Sequence, residues 1–144
     1  MISTPHLTTS ANTCEAVDLL LDTHTFLWFI NDDPRLSAEA ARRIEDPGAR
    51  VLVSVVTAWE IAIKLSTGKL KLARPLEDLW PHSLAENEFD ARDVTSKHVL
   101  AVIPLPLHHR DPFDRLLIAQ AISEGLHLVS ADSAFDAYPL QRIW

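Results

Sequence analysis

Three short apolar runs, each followed by an acid or by a helical pattern, constrain the fold of this chain more than any other feature. They are "VDLLLD" (17–22), "ARVLVSVV" (49–56) and "HLVSAD" (127–132). Runs of about four to eight apolar residues bounded by turn signals read as strands buried on both faces, as in a parallel sheet. Helical patterns fill the intervals. "THTFLWFIND" (23–32) ends at the Asp32-Asp33-Pro34 breaker, and "SAEAARRIED" (37–46) is amphipathic, with Ser37 as its cap and Pro47-Gly48 as its stop. In "TAWEIAIKLSTGKL" (57–70), Ala58, Ile61, Ala62 and Leu65 at i, i+3, i+4, i+7 predict the buried stripe, with Gly68 near the end.

The second half continues the alternation. A helix over 75–88 must tolerate Pro81 or begin again there, 89–95 is a short strand, and 96–103 is a helix. "PLPLHHR" (104–110) is expected to be extended, since each proline disfavours helix in the residue before it. The helix in "HHRDPFDRLLIAQA" (108–121), the strand 127–132, a turn of helix and the terminal "LQRIW" complete the chain. Strands alternating with helices define an α/β fold with a mainly parallel sheet.

The length of 144 residues suits one domain. Residues 1–16, rich in Ser, Thr, Asn and Pro without periodicity, are expected to form a flexible N-terminal arm, and residues 17–144 the folded domain. The lone Cys14 excludes an internal disulfide and a thiolate metal cage, and fits a reducing compartment. With no basic and apolar leader at the N-terminus and no apolar run near the roughly 18 residues that span a bilayer, the expected location is cytoplasmic, without membrane contact. The formal charge of −7 argues against a nucleic-acid coat, which carries a basic surface. It leaves room for an enzyme acting on nucleic acid, because metal-binding acids themselves lower the total.

Four acids carry the chemical argument. Asp22 and Asp132 each follow a strand, at the carboxyl-terminal edge where ligands collect in parallel sheets. Glu60 lies one turn into the helix after the second strand, and Asp114 lies in the first turn of the helix opened by Pro112. If they converge, two charges about 4 Å apart repel by roughly 4 kcal/mol at an effective dielectric near 20. Protonation or a divalent cation must relieve this. Oxygen-only ligands suit Mg²⁺ or Mn²⁺ rather than zinc, and the chemistry using such a site is phosphoryl transfer or hydrolysis.

Each acid also has a local structural role open to it. Asp22 and Asp132 can cap the helical turns that follow them, and Glu60 can pair with Lys64 four residues on. Asp111 is a natural N-cap, with Pro112 at the first helical position and Asp114 at the third as in a capping box. His108 and His109 are ligands, phosphate contacts or passive loop residues. Arg115 either holds a phosphate or pairs with a neighbouring acid. Lys64, Lys69, Lys71 and Arg74 guide a polyanion or form a solvated face, and the four tryptophans belong to the core or an interface.

Taken together, "LLLDTHTFLWF", "VLVSVVTAWEIAIKLSTGKL", "LPLHHRDPFDRLLIAQAISEGLHLVSAD" and the closing "LQRIW" resemble the PIN-domain family, and specifically the VapC toxins of bacterial toxin–antitoxin pairs. The resemblance runs from about residue 18 to the C-terminus. It implies a three-layer α/β/α domain with a short, mainly parallel central sheet, and Mg²⁺- or Mn²⁺-dependent hydrolysis of RNA phosphodiesters. It assigns the metal-binding and catalytic acids to Asp22, Glu60, Asp114 and Asp132, the last of them a weaker or water-mediated ligand. Ser130 matches a small hydroxylic residue of the family and, with Arg115, is expected to contact substrate. The resemblance further implies a cognate VapB-like antitoxin and a homodimer or toxin–antitoxin hetero-oligomer. In-line attack by water would leave a 3′-hydroxyl and a 5′-phosphate.

Two rivals remain at this point. One is another Mg²⁺-dependent α/β phosphate hydrolase. An aspartyl-phosphate phosphatase wants a second acid two residues after its nucleophile, where this chain has His24, and a receiver domain wants paired acids and a late lysine that are missing here. The other is a non-catalytic PIN-like module whose acids only cap helices.

Overall fold

A computed structural model describes residues 17–144; the arm expected over residues 1–16 lies outside the described residues. Five parallel strands form one sheet: β1 (Leu19–Leu21), β2 (Val51–Ser54), β3 (Asp90–Arg92), β4 (His127–Val129) and β5 (Arg142–Ile143). Their order is β3-β2-β1-β4-β5, with Leu20 of β1 in register with Leu52 on one side and Leu128 on the other. The chain winds outward from β1 to β3, then returns to the opposite side of β1. That reversal opens a crevice between the carboxyl ends of β1 and β4, where open α/β sheets bind ligands.

The expected parallel α/β architecture is therefore observed, and its three layers follow from the period-2 alternation of short strands. Leu20, Leu52 and Leu128 face one core, together with Leu117, Ile118 and Ala121. Leu19, Leu21, Val51, Val53 and Val129 face the other, with Phe26, Ile44 and Phe89. The helices that cover the sheet are α1 (Thr23–Ile30), α2 (Ala38–Glu45), α3 (Val55–Ser66), α4 (Leu76–Asp78), α5 (Leu84–Glu86), α6 (Ser96–Leu100) and α7 (Pro112–Glu124). A 3₁₀ turn covers Ser133–Ala137. Among the described residues, no helix is long and apolar enough to cross a membrane.

The helix expected over 96–103 stops at Leu100, and three further departures from the sequence reading have a local cause. The run 49–56 yields a strand of only Val51–Ser54, because Ser54 Oγ accepts the Val56 N–H and caps α3, drawing Val55 and Val56 into its first turn. The helix over 75–88 does restart, but across the irregular stretch Leu79–Ser83, where Trp80 takes φ −123°, ψ 95°; Pro81 pushes its predecessor out of the helical region. Residues 104–110 are not extended but follow a turning path. The cause is Arg115, whose guanidinium donates to the carbonyls of Val102, Leu105, Pro106 and His109 and gathers the loop around itself.

Candidate active site

Asp22 follows β1 directly and is only 7% exposed. Its Oδ1 accepts the Thr25 N–H at 2.9 Å, so it does cap α1. Its Oδ2 accepts from Ser130 Oγ at 2.6 Å, and Ser130 lies just beyond the end of β4. The cap thus uses one oxygen, while the other is oriented across the crevice by a fully buried hydroxyl. Ser130 Oγ in turn accepts the Asp132 N–H at 3.0 Å. Both bonds turn Ser130, expected to contact substrate, towards the acids.

Of the stripe expected along α3, Ile61 is fully buried, Leu65 packs against the core and Ala58 is half-buried, but one member departs. Ala62 is exposed, and the face of α3 that turns inward carries Val56, Thr57, Glu60 and Ile61. A carboxylate thus sits where the hydrophobic pattern placed alanines. It is held there by Thr23 Oγ1, which donates to Oε1 at 2.7 Å, and by Lys64 Nζ, 2.9 Å from Oε2. The Lys64 pair expected on an exposed face is real, yet Glu60 itself is 6% exposed. Thr23 Oγ1 also lies 3.3 Å from Thr57 Oγ1, and neither threonine was singled out from the sequence. A polar residue on both inward-facing turns was the available signal.

At the mouth of α7, Asp111 alone accepts the Phe113 and Asp114 N–H groups, so the capping reading holds for Asp111. The Asp114 carboxylate takes no part in the cap. Burial pushes its pKa up to about 7, reinforced by the negative charges of Asp111, Glu60, Asp22 and Asp132 in that order. The negative charges of Asp22, Glu60 and Asp132 thus reach Asp114, while among the described residues the acids whose oxygens come within 4.8 Å of one another beside His109 are Asp114 and Asp132. Asp132 caps the 3₁₀ turn through Ala134 N at 2.9 Å and stands more exposed at the rim.

His109 joins this group. His109, Asp114 and Asp132 each offer a ligand atom, and these atoms lie within 4.8 Å of one another. The His109 ring stacks on Tyr138 and packs against Phe135, its Nε2 is buried without a hydrogen-bond partner, and that nitrogen is 3.6 Å from Asp132 Oδ2. His108 is exposed and sits edge-on to Tyr138. Arg115 departs from the expectation of a phosphate contact, because its four carbonyl bonds, 2.9–3.3 Å long, commit both terminal nitrogens to the loop. Arg74 pairs with Glu86 at 3.8 Å, a solvated-face role.

Carboxylates that repel one another around a raised Asp114 are what a divalent cation would relieve, and His109, Asp114 and Asp132 together offer an imidazole nitrogen and two carboxylates.

Comparison with known proteins points the same way. Residues 19–140 match the PIN domain family. The ribonuclease VapC22 of Mycobacterium tuberculosis is 32% identical over 114 residues, covering 79% of this chain and 86% of that protein. VapBC2 from Rickettsia felis, solved bound to a DNA fragment from its promoter, superposes with a TM-score of 0.65 at 17% identity, covering 87% and 96% of the two chains. DNA-bound VapBC from Salmonella typhimurium gives 0.58 at 18% identity, covering 88% and 96%. At such identities the structures speak to the fold, whereas the domain match and the mycobacterial relative speak to descent. The chain belongs to the PIN-domain family and, within it, to the VapC group.

Proposed function

We propose that this protein is a metal-dependent endoribonuclease, the toxin of a toxin–antitoxin pair, which hydrolyses RNA phosphodiester bonds and is restrained by a VapB-like antitoxin. The observation that carries the reading is the group of Asp114, Asp132 and His109, whose ligand atoms lie within 4.8 Å of one another, with burial and the charges of Asp111, Glu60, Asp22 and Asp132 pushing the Asp114 carboxyl up to about 7. A scaffold whose acids served only as caps would gain nothing from holding Asp114 outside the cap and half-buried among other negative charges. Asp22, Glu60, Asp114 and Asp132 would hold Mg²⁺ or Mn²⁺, with Asp22 fixed by Ser130 and Glu60 by Thr23. When bound, the ion supplies charge neutralisation at the phosphate and a lowered pKa for water.

The chain's own residues do the rest. Ser130 and Thr23 hold one oxygen each of Asp22 and Glu60, so that these carboxylates lose little freedom on engaging a ligand. Lys64 balances Glu60 in the absence of another cation. Arg115 fixes the loop that carries His109 beside Asp132. Tyr138 completes that loop, accepting the His109 N–H at 2.8 Å and donating its hydroxyl to Pro106 O at 2.7 Å.

The test is cleavage of a labelled RNA with Mn²⁺ by the wild type, Asp22→Asn and Asp114→Asn, alongside calorimetric titration of the ion. The reading requires both variants to lose cleavage by at least about 100-fold, in keeping with loss of a catalytic metal ligand. Undiminished cleavage by either would remove that residue from the site. Ion binding no tighter than to an ordinary acidic surface would return the protein to a non-catalytic role.

A further inference from the structure

We infer that Trp59, braced by Phe113, is a stacking platform for a base of single-stranded RNA next to the phosphate held at the carboxylates. The inference rests on the nuclease reading for the class of its ligand, and on the placement of two aromatic residues for everything else. α3 turns Glu60 inward, 6% exposed, and leaves its chain neighbour Trp59 outward, 53% exposed. At the entrance of α7, Phe113 immediately precedes Asp114; both are half-buried, and Phe113 packs against the core cluster of Leu117 and Ile118. The two rings meet edge to face, with centroids 4.8 Å apart and planes at 72°. An aromatic pair thus bridges the two helices that supply Glu60 and Asp114, on the rim of the acidic crevice.

Trp59 differs from the other tryptophans, each of which is packed. Trp28 lies against His24 and Trp144 with Arg35 over its ring, and Trp80 lies against Phe26. Among the described residues the most exposed aliphatic side chains, Leu100, Ile103 and Leu107, lie at the end of α6 and in the segment after it. Trp59 contributes little to the core; it shares one face of α3 with Val55 and Ile63, 37% and 38% exposed, and is the most exposed of the three. The contact with Phe113 limits the attitudes the indole can take while leaving most of its surface to a ligand.

The chemistry selects the ligand. A chain of formal charge −7 with carboxylates at its site cannot hold a polyanion by general attraction. Base–aromatic stacking supplies roughly 1–3 kcal/mol per base and tolerates any sequence, since every base has a π-face. A paired base is already stacked on its neighbours, so such a platform takes unpaired nucleotides, in loops or single strands.

The test uses the full chain and a fluorescein-labelled, mixed-sequence single-stranded RNA, with binding read by anisotropy and cleavage measured separately with Mn²⁺. Trp59→Ala should weaken binding and raise KM about ten-fold, with the rate at saturation within about two-fold of wild type. Trp59→Phe should recover most of the loss, and Trp59→Leu, apolar but without a π-face, should not. An RNA made abasic beside the cleaved phosphate should lose the same factor with wild type and nothing further with Trp59→Ala. Equal binding by wild type and Trp59→Ala, or full recovery by Trp59→Leu, overturns the platform. So does a Trp59→Ala variant that binds RNA normally but fails to bind its antitoxin, which would make the rim a protein-docking surface. Wild type that binds RNA through Trp59 without cutting it would instead sink the nuclease reading and leave the platform standing.

Discussion

Ser130 Oγ donates to Asp22 Oδ2 at 2.6 Å, tying the residue after β1 to the residue after β4 across the point where the strand order reverses. The same hydroxyl accepts the Asp132 N–H, so one buried atom sets the attitude of one acid and the backbone of another. Ser130→Ala should lower Mn²⁺ affinity by roughly 10–100-fold, the usual consequence of losing a group that orients a ligand. Calorimetry measures this, with circular dichroism confirming a retained fold. Unchanged affinity would limit Ser130 to a structural role.

Asp114 makes the site's pH dependence calculable in sign. A carboxyl whose folded pKa is raised from 3.8 to about 7 binds its proton more readily folded than unfolded. Stability is therefore lost as pH rises between about 4 and about 7, and is flat above that window. Asp114→Asn removes the penalty, so its Tm should equal or trail that of wild type near pH 4 and exceed it at pH 8. Thermal scans across this range check the crossing. A gap independent of pH would mean that repulsion at Asp114 is not what the substitution relieves.

The strand acids were legible in the sequence because position in a parallel sheet already places a residue at the ligand edge. Asp22 and Asp132 needed only the run before them to be recognised as strand. Glu60 was legible as a residue but not as a buried one: Ile61 and Leu65 of the stripe do reach the core, but Ala62 is exposed, since small apolar residues are indifferent to exposure, and Thr57 marks the inner face beside Glu60. The four-carbonyl bond set of Arg115 left no trace in the sequence, because it depends on a loop closing over a distance of 6–13 residues. The sequence leaves His109 between ligand, phosphate contact and passive loop residue for the same reason; the packing of Tyr138 and Phe135 turns its ring towards Asp132.

Arg115 provides a clean separation between a structural and a substrate role. A lysine keeps the charge but cannot present the planar fork that reaches Val102, Leu105, Pro106 and His109 together. Arg115→Lys should therefore lose about 2 kcal/mol of stability, and hydrogen exchange should speed up chiefly over residues 102–109. A phosphate contact would behave differently, raising KM for RNA and leaving loop protection intact.

Lys64 is the cation nearest Glu60, with Nζ 2.9 Å from Oε2 and a side chain 36% exposed against 8% for its partner. It stabilises the carboxylate when nothing else does, and it competes with any ion that would use the same oxygen. Lys64→Met leaves a buried charge beside other acids, so the metal-free protein should lose about 1–2 kcal/mol, less than a fully buried pair because the lysine reaches solvent. The competition argument adds a second expectation of opposite sign: saturating Mn²⁺ should raise the Tm of Lys64→Met by more than it raises that of wild type, since binding no longer displaces an ammonium. Both quantities come from paired thermal scans with and without the ion. If the ion-induced rise is instead smaller in the variant, Lys64 serves to aim Glu60 at the metal, and the competition between the two cations is refuted.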